Sequence, residues 1–166
     1  RAGRIKPCGG AIPPRLMRDF AVPDSVLVAK VYGARIVAPS NRTVEMPIDN
    51  GFVGMVDRES FDEWLRQRAA AAGAERRTGT YERIERHDDG TATVVYTPRG
   101  GSGEPQRIRT RLVIGADGAL SKVARQCVPG GEDTPFVFAY HEIVRAPGPE
   151  VAGYDGRLCD VHYCGT

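Results

Sequence analysis

The run Leu112-Val-Ile-Gly115-Ala-Asp117-Gly118 constrains this chain more than any other stretch. Three large aliphatic residues in succession read as a strand buried on both faces, and the small residues after them lead into a helix expected over residues 120–127. A parallel strand enters a doubly wound sheet in this way, and such sheets bind ligands at the carboxyl ends of their strands. Gly115 and Gly118 remove side chains so that a cofactor can come close, the helix start offers N–H groups to a phosphate, and Asp117 offers a carboxylate to ribityl or ribose hydroxyls. The same residues also make a plain strand-to-helix turn with Asp117 as the cap, and spacing alone leaves both readings open.

Upstream, Lys6-Pro-Cys8-Gly9-Gly10-Ala-Ile-Pro is punctuated as a loop, and Pro13-Pro14 can open a short helix over residues 15–20. Strands are expected over residues 26–31, 34–38 and 43–46, where β-branched residues cluster. Asp57 is placed to cap a helix over residues 58–72, with Phe61, Trp64, Leu65, Ala69 and Ala72 at helical spacing and Gly73 ending it. Residues 80–86 and 91–97 flank His87-Asp-Asp-Gly90 and predict a hairpin; a third strand starts at Arg107. Residues 136–144 and 158–163 predict two further strands, separated by a Pro- and Gly-rich stretch.

Composition excludes several function classes. The 166 residues carry 23 basic and 21 acidic side chains spread along the length, a formal charge of +2, so no electrostatic footprint for nucleic acid stands out. Arg76-Arg77 and the alternating arginines of residues 107–111 are expected on solvated faces or strand edges. No apolar run approaches the roughly 20 residues that cross a bilayer, and the first residues lack a signal peptide's apolar region, so a soluble, cytoplasmic setting is expected. Cys8, Cys127, Cys159 and Cys164 match no zinc spacing and are read as reduced thiols, with no metal site. The chain opens without methionine and stops just after a strand-like run, which reads as an internal piece of a longer protein.

Taken together, these motifs resemble a known family. Gly115-Ala-Asp-Gly-Ala-Leu-Ser-Lys-Val-Ala-Arg125 is similar to the second fingerprint of the flavoprotein hydroxylases and reductases built like para-hydroxybenzoate hydroxylase. The stretch from Gly51 through Asp57-Arg58 to Leu65 resembles the segment in which that family's arginine, at a helix start, contacts the flavin. Three further stretches narrow the resemblance to the geranylgeranyl reductases of chlorophyll and bacteriochlorophyll synthesis: the Lys6–Gly10 loop, Ala139-Tyr-His141-Glu142-Ile, and Cys159-Asp160-Val-His162-Tyr163, where His162 stands in place of an expected tyrosine.

The resemblance implies an α/β protein in which a partial FAD-binding, Rossmann-like domain is interleaved with an antiparallel substrate sheet. Residues 1–25 and 51–134 would form the cofactor part, and residues 26–50 and 135–166 the sheet. It implies an enzyme that holds FAD, takes hydride from NADPH and saturates double bonds of a geranylgeranyl chain on a pigment or a diphosphate, in peripheral contact with a photosynthetic membrane. Lys6, Cys8, Gly9, Gly10, Arg58, Gly115, Asp117 and Gly118 would hold the cofactor, with Cys8 and His141 as catalytic candidates.

Each residue keeps an ordinary reading beside the functional one. Arg58 is also an exposed first-turn residue, Cys8 a small buried hydrophobe and His141 a structural strand histidine. Within this sequence no G-x-G-x-x-G precedes the second fingerprint, so the 166 residues alone are expected to bind FAD poorly. A quinone-reducing flavoprotein dehydrogenase, a flavin hydroxylase, or a non-catalytic prenyl or pigment carrier would suit the same residues.

Overall fold

The computed structural model describes residues 8–101, 103–148 and 151–164. They fall into two compact units, Arg1–Gly73 with Ala139–Thr166, and Ala74–Phe138.

The first unit opens with β1 (Ala11–Ile12) and α1 (Pro14–Asp19), where Pro14 supplies the fixed φ that a helix start needs. Next come β2 (Leu27–Val31), β3 (Gly33–Val37), β4 (Thr43–Pro47) and β5 (Val53–Val56). Two three-stranded sheets result. In one, β5 lies between β1 and β2, antiparallel to both. In the other, β3 lies between β4 and the late strand β9 (Leu158–His162). Ile12, Val22, Val31 and Val56 form the buried apolar centre of this unit.

Helix α2 (Arg58–Ala71) follows β5 directly. The Asp57 carboxylate accepts the Glu59 N–H at 3.0 Å, which satisfies one of the donors a helix start leaves unpaired. Gly73 takes up φ +95° just beyond the end. The expected apolar stripe is only partly realised: Phe61 stacks on Trp64, Arg68 covers the Trp64 ring, and Leu65 stays exposed. The buried position on this helix is instead Asp62.

The second unit is an antiparallel sheet of β6 (Gly79–Arg86), β7 (Ala92–Pro98) and β8 (Gln106–Thr110), in that order, with α3 (Lys122–Cys127) against β6. The hairpin turn forms where predicted: Gly90 adopts φ +79°, and Asp89 accepts the Thr91 N–H at 3.0 Å. Gln126 acts as a substitute strand residue. Its amide oxygen accepts the Ile84 N–H at 2.9 Å, and its amide nitrogen donates to the Ile84 carbonyl at 2.7 Å. Ile84 and Val95 are buried beneath.

Three expectations are corrected. Residues 112–114 form no strand, and Leu112 and Ile114 are exposed rather than buried. Residues 136–144 likewise form no strand, and Phe138 is 93% exposed. The physical reason is common to both: among the described residues no strand lies alongside to pair their backbone groups, and an extended run without a partner gains no ladder. Finally, β3 pairs with β9 in parallel, from Gly33↔Leu158 to Val37↔His162, so this sheet is mixed rather than antiparallel. A parallel pair requires a long crossover, and the chain between these strands includes the whole second unit.

Candidate functional site

The loop of residues 8–10 is set by one backbone contact. Gly10 adopts φ +73°, and a Cβ there would stand 2.3 Å from the Val56 carbonyl oxygen, so a side chain is excluded both by conformation and by space. The Val56 N–H donates to the Gly10 carbonyl at 2.9 Å and ties the loop to the end of β5. Because Asp57 and Arg58 follow at once, the same contact brings the first turn of α2 beside Cys8.

These residues open on a cavity of about 300 Å3 lined by Cys8, Gly9, Arg58 and His141, with Val28, Met55 and Ile143 among its apolar walls. Gly9 meets nothing within 4 Å of where its Cβ would stand. The Gly10 backbone N–H first, and then the Arg58 guanidinium, hold the Cys8 thiol below its ordinary pKa against the opposing effect of burial. Arg58 is itself gripped by Asp62: Nε donates to Oδ1 at 2.8 Å and Nη2 to Oδ2 at 3.4 Å. Cys8, Arg58 and His141, selected separately from the sequence, thus share one cavity. Lys6 lies outside the described residues.

In the second unit Ser121 caps α3, accepting the Ala124 N–H at 2.9 Å, and Asp117 supports the same helix start. Asp117 Oδ1 accepts the Ser121 hydroxyl, and its Oδ2 accepts the N–H groups of Lys122 at 2.7 Å and Val123 at 3.3 Å. The Ser121 hydroxyl first, and then these backbone N–H groups, hold its pKa below the usual carboxylate value. Gly115 packs closely, with a Cβ there only 2.9 Å from Val123 Cγ1, while Gly118 takes φ +87° in open space. Sequence reasoning missed Asp62, Val28 and Met55. An Arg-x-x-x-Asp pair on a helix was the available signal for Asp62.

A second cavity, about 330 Å3, lies beside Tyr32, Met46, Pro47 and Leu158. Its Arg157 already pairs with Asp155, Nε to Oδ1 at 3.2 Å. The four cysteines are free thiols, and no group of three metal-ligating side chains occurs among the described residues.

Residues 22–143 match the family described as FAD binding domain, which takes in Arg58, Asp117 and His141. The chain belongs to that family. This FAD binding domain is 60% identical over 165 residues to a geranylgeranyl diphosphate reductase of Rhodobacter capsulatus, covering 99% of this chain and 41% of that protein. It is 34% identical to a chloroplastic geranylgeranyl diphosphate reductase of Oryza sativa subsp. japonica, covering 92% of this chain and 35% of that one. A digeranylgeranylglycerophospholipid reductase of Methanosarcina acetivorans is 37% identical, over 66% of this chain and 27% of its own length. Among solved structures, a flavoprotein/dehydrogenase from Cytophaga hutchinsonii shares the fold with a TM-score of 0.53 at 18% identity, covering 68% of this chain and 30% of that one. The chain therefore spans about two fifths of the length of the curated relative from Rhodobacter capsulatus.

Proposed function

We propose that the complete protein is an FAD-dependent oxidoreductase that takes hydride from NADPH and saturates double bonds of a geranylgeranyl chain, borne by a chlorophyll-type pigment or a diphosphate. The observation that carries this reading is the 60% identity, along 99% of the chain, to a relative named for that reduction.

The donor set of the Cys8 cavity suits one end of a flavin. A volume of about 300 Å3 stands at the lower limit of small-molecule pockets, room for the edge of a flat ring and not for a whole dinucleotide. When bound, FAD would supply the hydride that adds to one alkene carbon. Gly9 and Gly10 leave the backbone free to lie against the ring, Arg58 offers a guanidinium to negative charge, and Lys6 is assigned to the same cofactor. The second alkene carbon needs a proton, and among the described residues at this cavity Cys8 and His141 are the candidates to supply it. Val28, Met55 and Ile143 keep water from a cationic centre.

In this reading Asp117, Gly115 and Gly118 receive the ribityl and pyrophosphate end. Residues 1–25 and 51–134 serve the cofactor, and residues 26–50 and 135–166 the substrate. No described helix is long and apolar enough to cross a membrane. We assign the protein to the cytoplasm, in peripheral contact with the photosynthetic membrane that holds a prenylated substrate.

The test is made on the purified complete protein, which should show a flavin spectrum and, with NADPH, convert geranylgeranyl diphosphate to products heavier by successive hydrogen pairs. Oxygen consumption coupled to hydroxylation would replace the reading with a hydroxylase, quinone reduction without alkene reduction with a dehydrogenase, and prenyl binding without flavin with a carrier.

A further inference from the structure

Helix α3 is six residues long and buries none of them. A helix that short does not hold itself, and no face of it is sunk in a core that would fix its direction. Among the described residues, the hydrogen bonds that join it to the sheet all run through one side chain. Gln126 Oε1 accepts the Ile84 N–H at 2.9 Å and the Tyr81 hydroxyl, and Nε2 donates to the Ile84 carbonyl at 2.7 Å. Strand β6 is at the edge of its sheet, where backbone N–H and carbonyl groups stand without a neighbouring strand. A primary amide answers one of each at once, which fixes both the distance of α3 from the strand and its place along it.

At its other end α3 carries the loop of residues 115–118. Asp117 Oδ1 accepts the Ser121 hydroxyl, and Oδ2 accepts the N–H groups of Lys122 at 2.7 Å and Val123 at 3.3 Å. Gly115 packs on the same turn, where a Cβ would stand 2.9 Å from Val123 Cγ1. Loop and helix therefore form one body, and that body is tied to β6 at Gln126.

We infer that Gln126 is a positioning residue: its amide, held by Ile84 and Tyr81, sets where α3 stands on β6 and so where Gly115, Asp117 and Gly118 are presented to the flavin. The inference rests on the reading of that loop as the ribityl and pyrophosphate end of the cofactor site, and it adds a side chain that acts only through α3.

The test uses the complete protein and two readouts. The first is the FAD dissociation constant, from flavin fluorescence on titration of the flavin-free protein. Gln126→Met keeps the length of the side chain and removes both amide groups, and it should weaken FAD binding roughly tenfold. Val95→Ala, in the buried part of the same sheet and with no part in the clamp, lowers stability alone and should change the constant by less than about twofold. In an Asp117→Ala background the loop has lost its ties to α3, so Gln126→Met should change the constant there by less than about twofold, whereas independent effects would multiply. The second readout is amide hydrogen exchange of the flavin-free protein. Gln126→Met should speed exchange in residues 112–121 and leave residues 92–98 unaltered.

A constant within about twofold of the parent, a loss matched by Val95→Ala, or multiplying effects in the double variant overturns the inference. If Gln126→Met does not fold by circular dichroism, Tyr81→Phe decides the matter. It removes one of the two donors on the amide oxygen and should raise the constant roughly threefold. An unchanged constant there discards the role of Gln126. A complete protein that takes up no FAD sinks the reading of the loop, whereas FAD uptake with unaltered exchange in Gln126→Met sinks the clamp alone.

Discussion

A cysteine thiol ordinarily keeps its proton at neutral pH, and at Cys8 two donors act against that, the Gly10 N–H and the Arg58 guanidinium. Because the folded pKa lies below the unfolded one, the group contributes stability that is present above the unfolded thiol value and is lost as pH falls through the folded value. The functional consequence can be isolated with Cys8→Ser, which is close in size and keeps a polar tip. If the thiol shapes alkene approach or supplies the proton, kcat should fall while reduction of the flavin by NADPH stays nearly normal, a loss confined to the second half-reaction. Mere packing predicts both half-reactions nearly intact and a stability loss of about 1 kcal/mol from an unpaired hydroxyl. Stopped-flow measurement of the two halves separates these, and unchanged alkene reduction removes Cys8 from the catalytic candidates. Cys8, Arg58 and His141 were legible in the sequence because short motifs carried them. Asp62 was not, since a carboxylate four residues after an arginine usually marks a solvated helix face, and only the fold reveals that this one points inward.

Elements fixed by local chemistry emerged from the sequence nearly as drawn: α1 behind its proline, α2 behind its Asp57 cap, and the hairpin around Gly90. Pairings between distant segments did not. The β3–β9 pair is held in register by Arg35, which donates from Nε to Asp160 Oδ1 at 2.6 Å and from Nη2 to Oδ2 at 3.0 Å. No local pattern announces a partner 125 residues away. Helix α3 depends on two such side-chain devices, each of which can be tested. Asp117 has a depressed pKa, so its contribution to α3 is complete above the ordinary carboxylate range and is lost as pH falls through the lower folded value. Asp117→Asn should therefore flatten the acid limb of the melting temperature plotted against pH, and an unaltered limb would assign acid loss elsewhere. Gln126→Leu leaves the Ile84 N–H and carbonyl without their clamp, at a cost of about 1–3 kcal/mol for each buried polar group left unpaired. Urea denaturation of the complete protein measures it, and a loss within error would show that β6 holds without α3.

On the scale of the whole chain, what stayed illegible in the sequence is what a chain does with an apolar run that finds no partner. Residues 112–114 and 136–144 are the most strand-like stretches by composition, yet neither is a strand, because a buried parallel strand is defined by neighbours on both sides and not by its own residues. The result is a set of large apolar side chains facing solvent: Val137 at 92%, Phe138 at 93%, and Ile114 and Tyr140 exposed as well. So many large apolar side chains left open to solvent call for a cover, supplied by other segments of the complete protein or by a second copy of the chain. Each such side chain gains roughly 1.5–3 kcal/mol on burial, so covering a few of them outweighs the cost of weak association. Expressed as residues 1–166 and nothing more, the chain should self-associate, bind a hydrophobic dye and melt broadly. The complete protein should do none of these through the same residues. Light scattering after size exclusion reads the first, dye fluorescence the second and calorimetry the third. Phe138→Ser with Val137→Ser should reduce association of the 166-residue chain while leaving the hairpin of β6 and β7 intact. A clean monomer with a sharp two-state melt would mean that these side chains find their cover within the 166 residues.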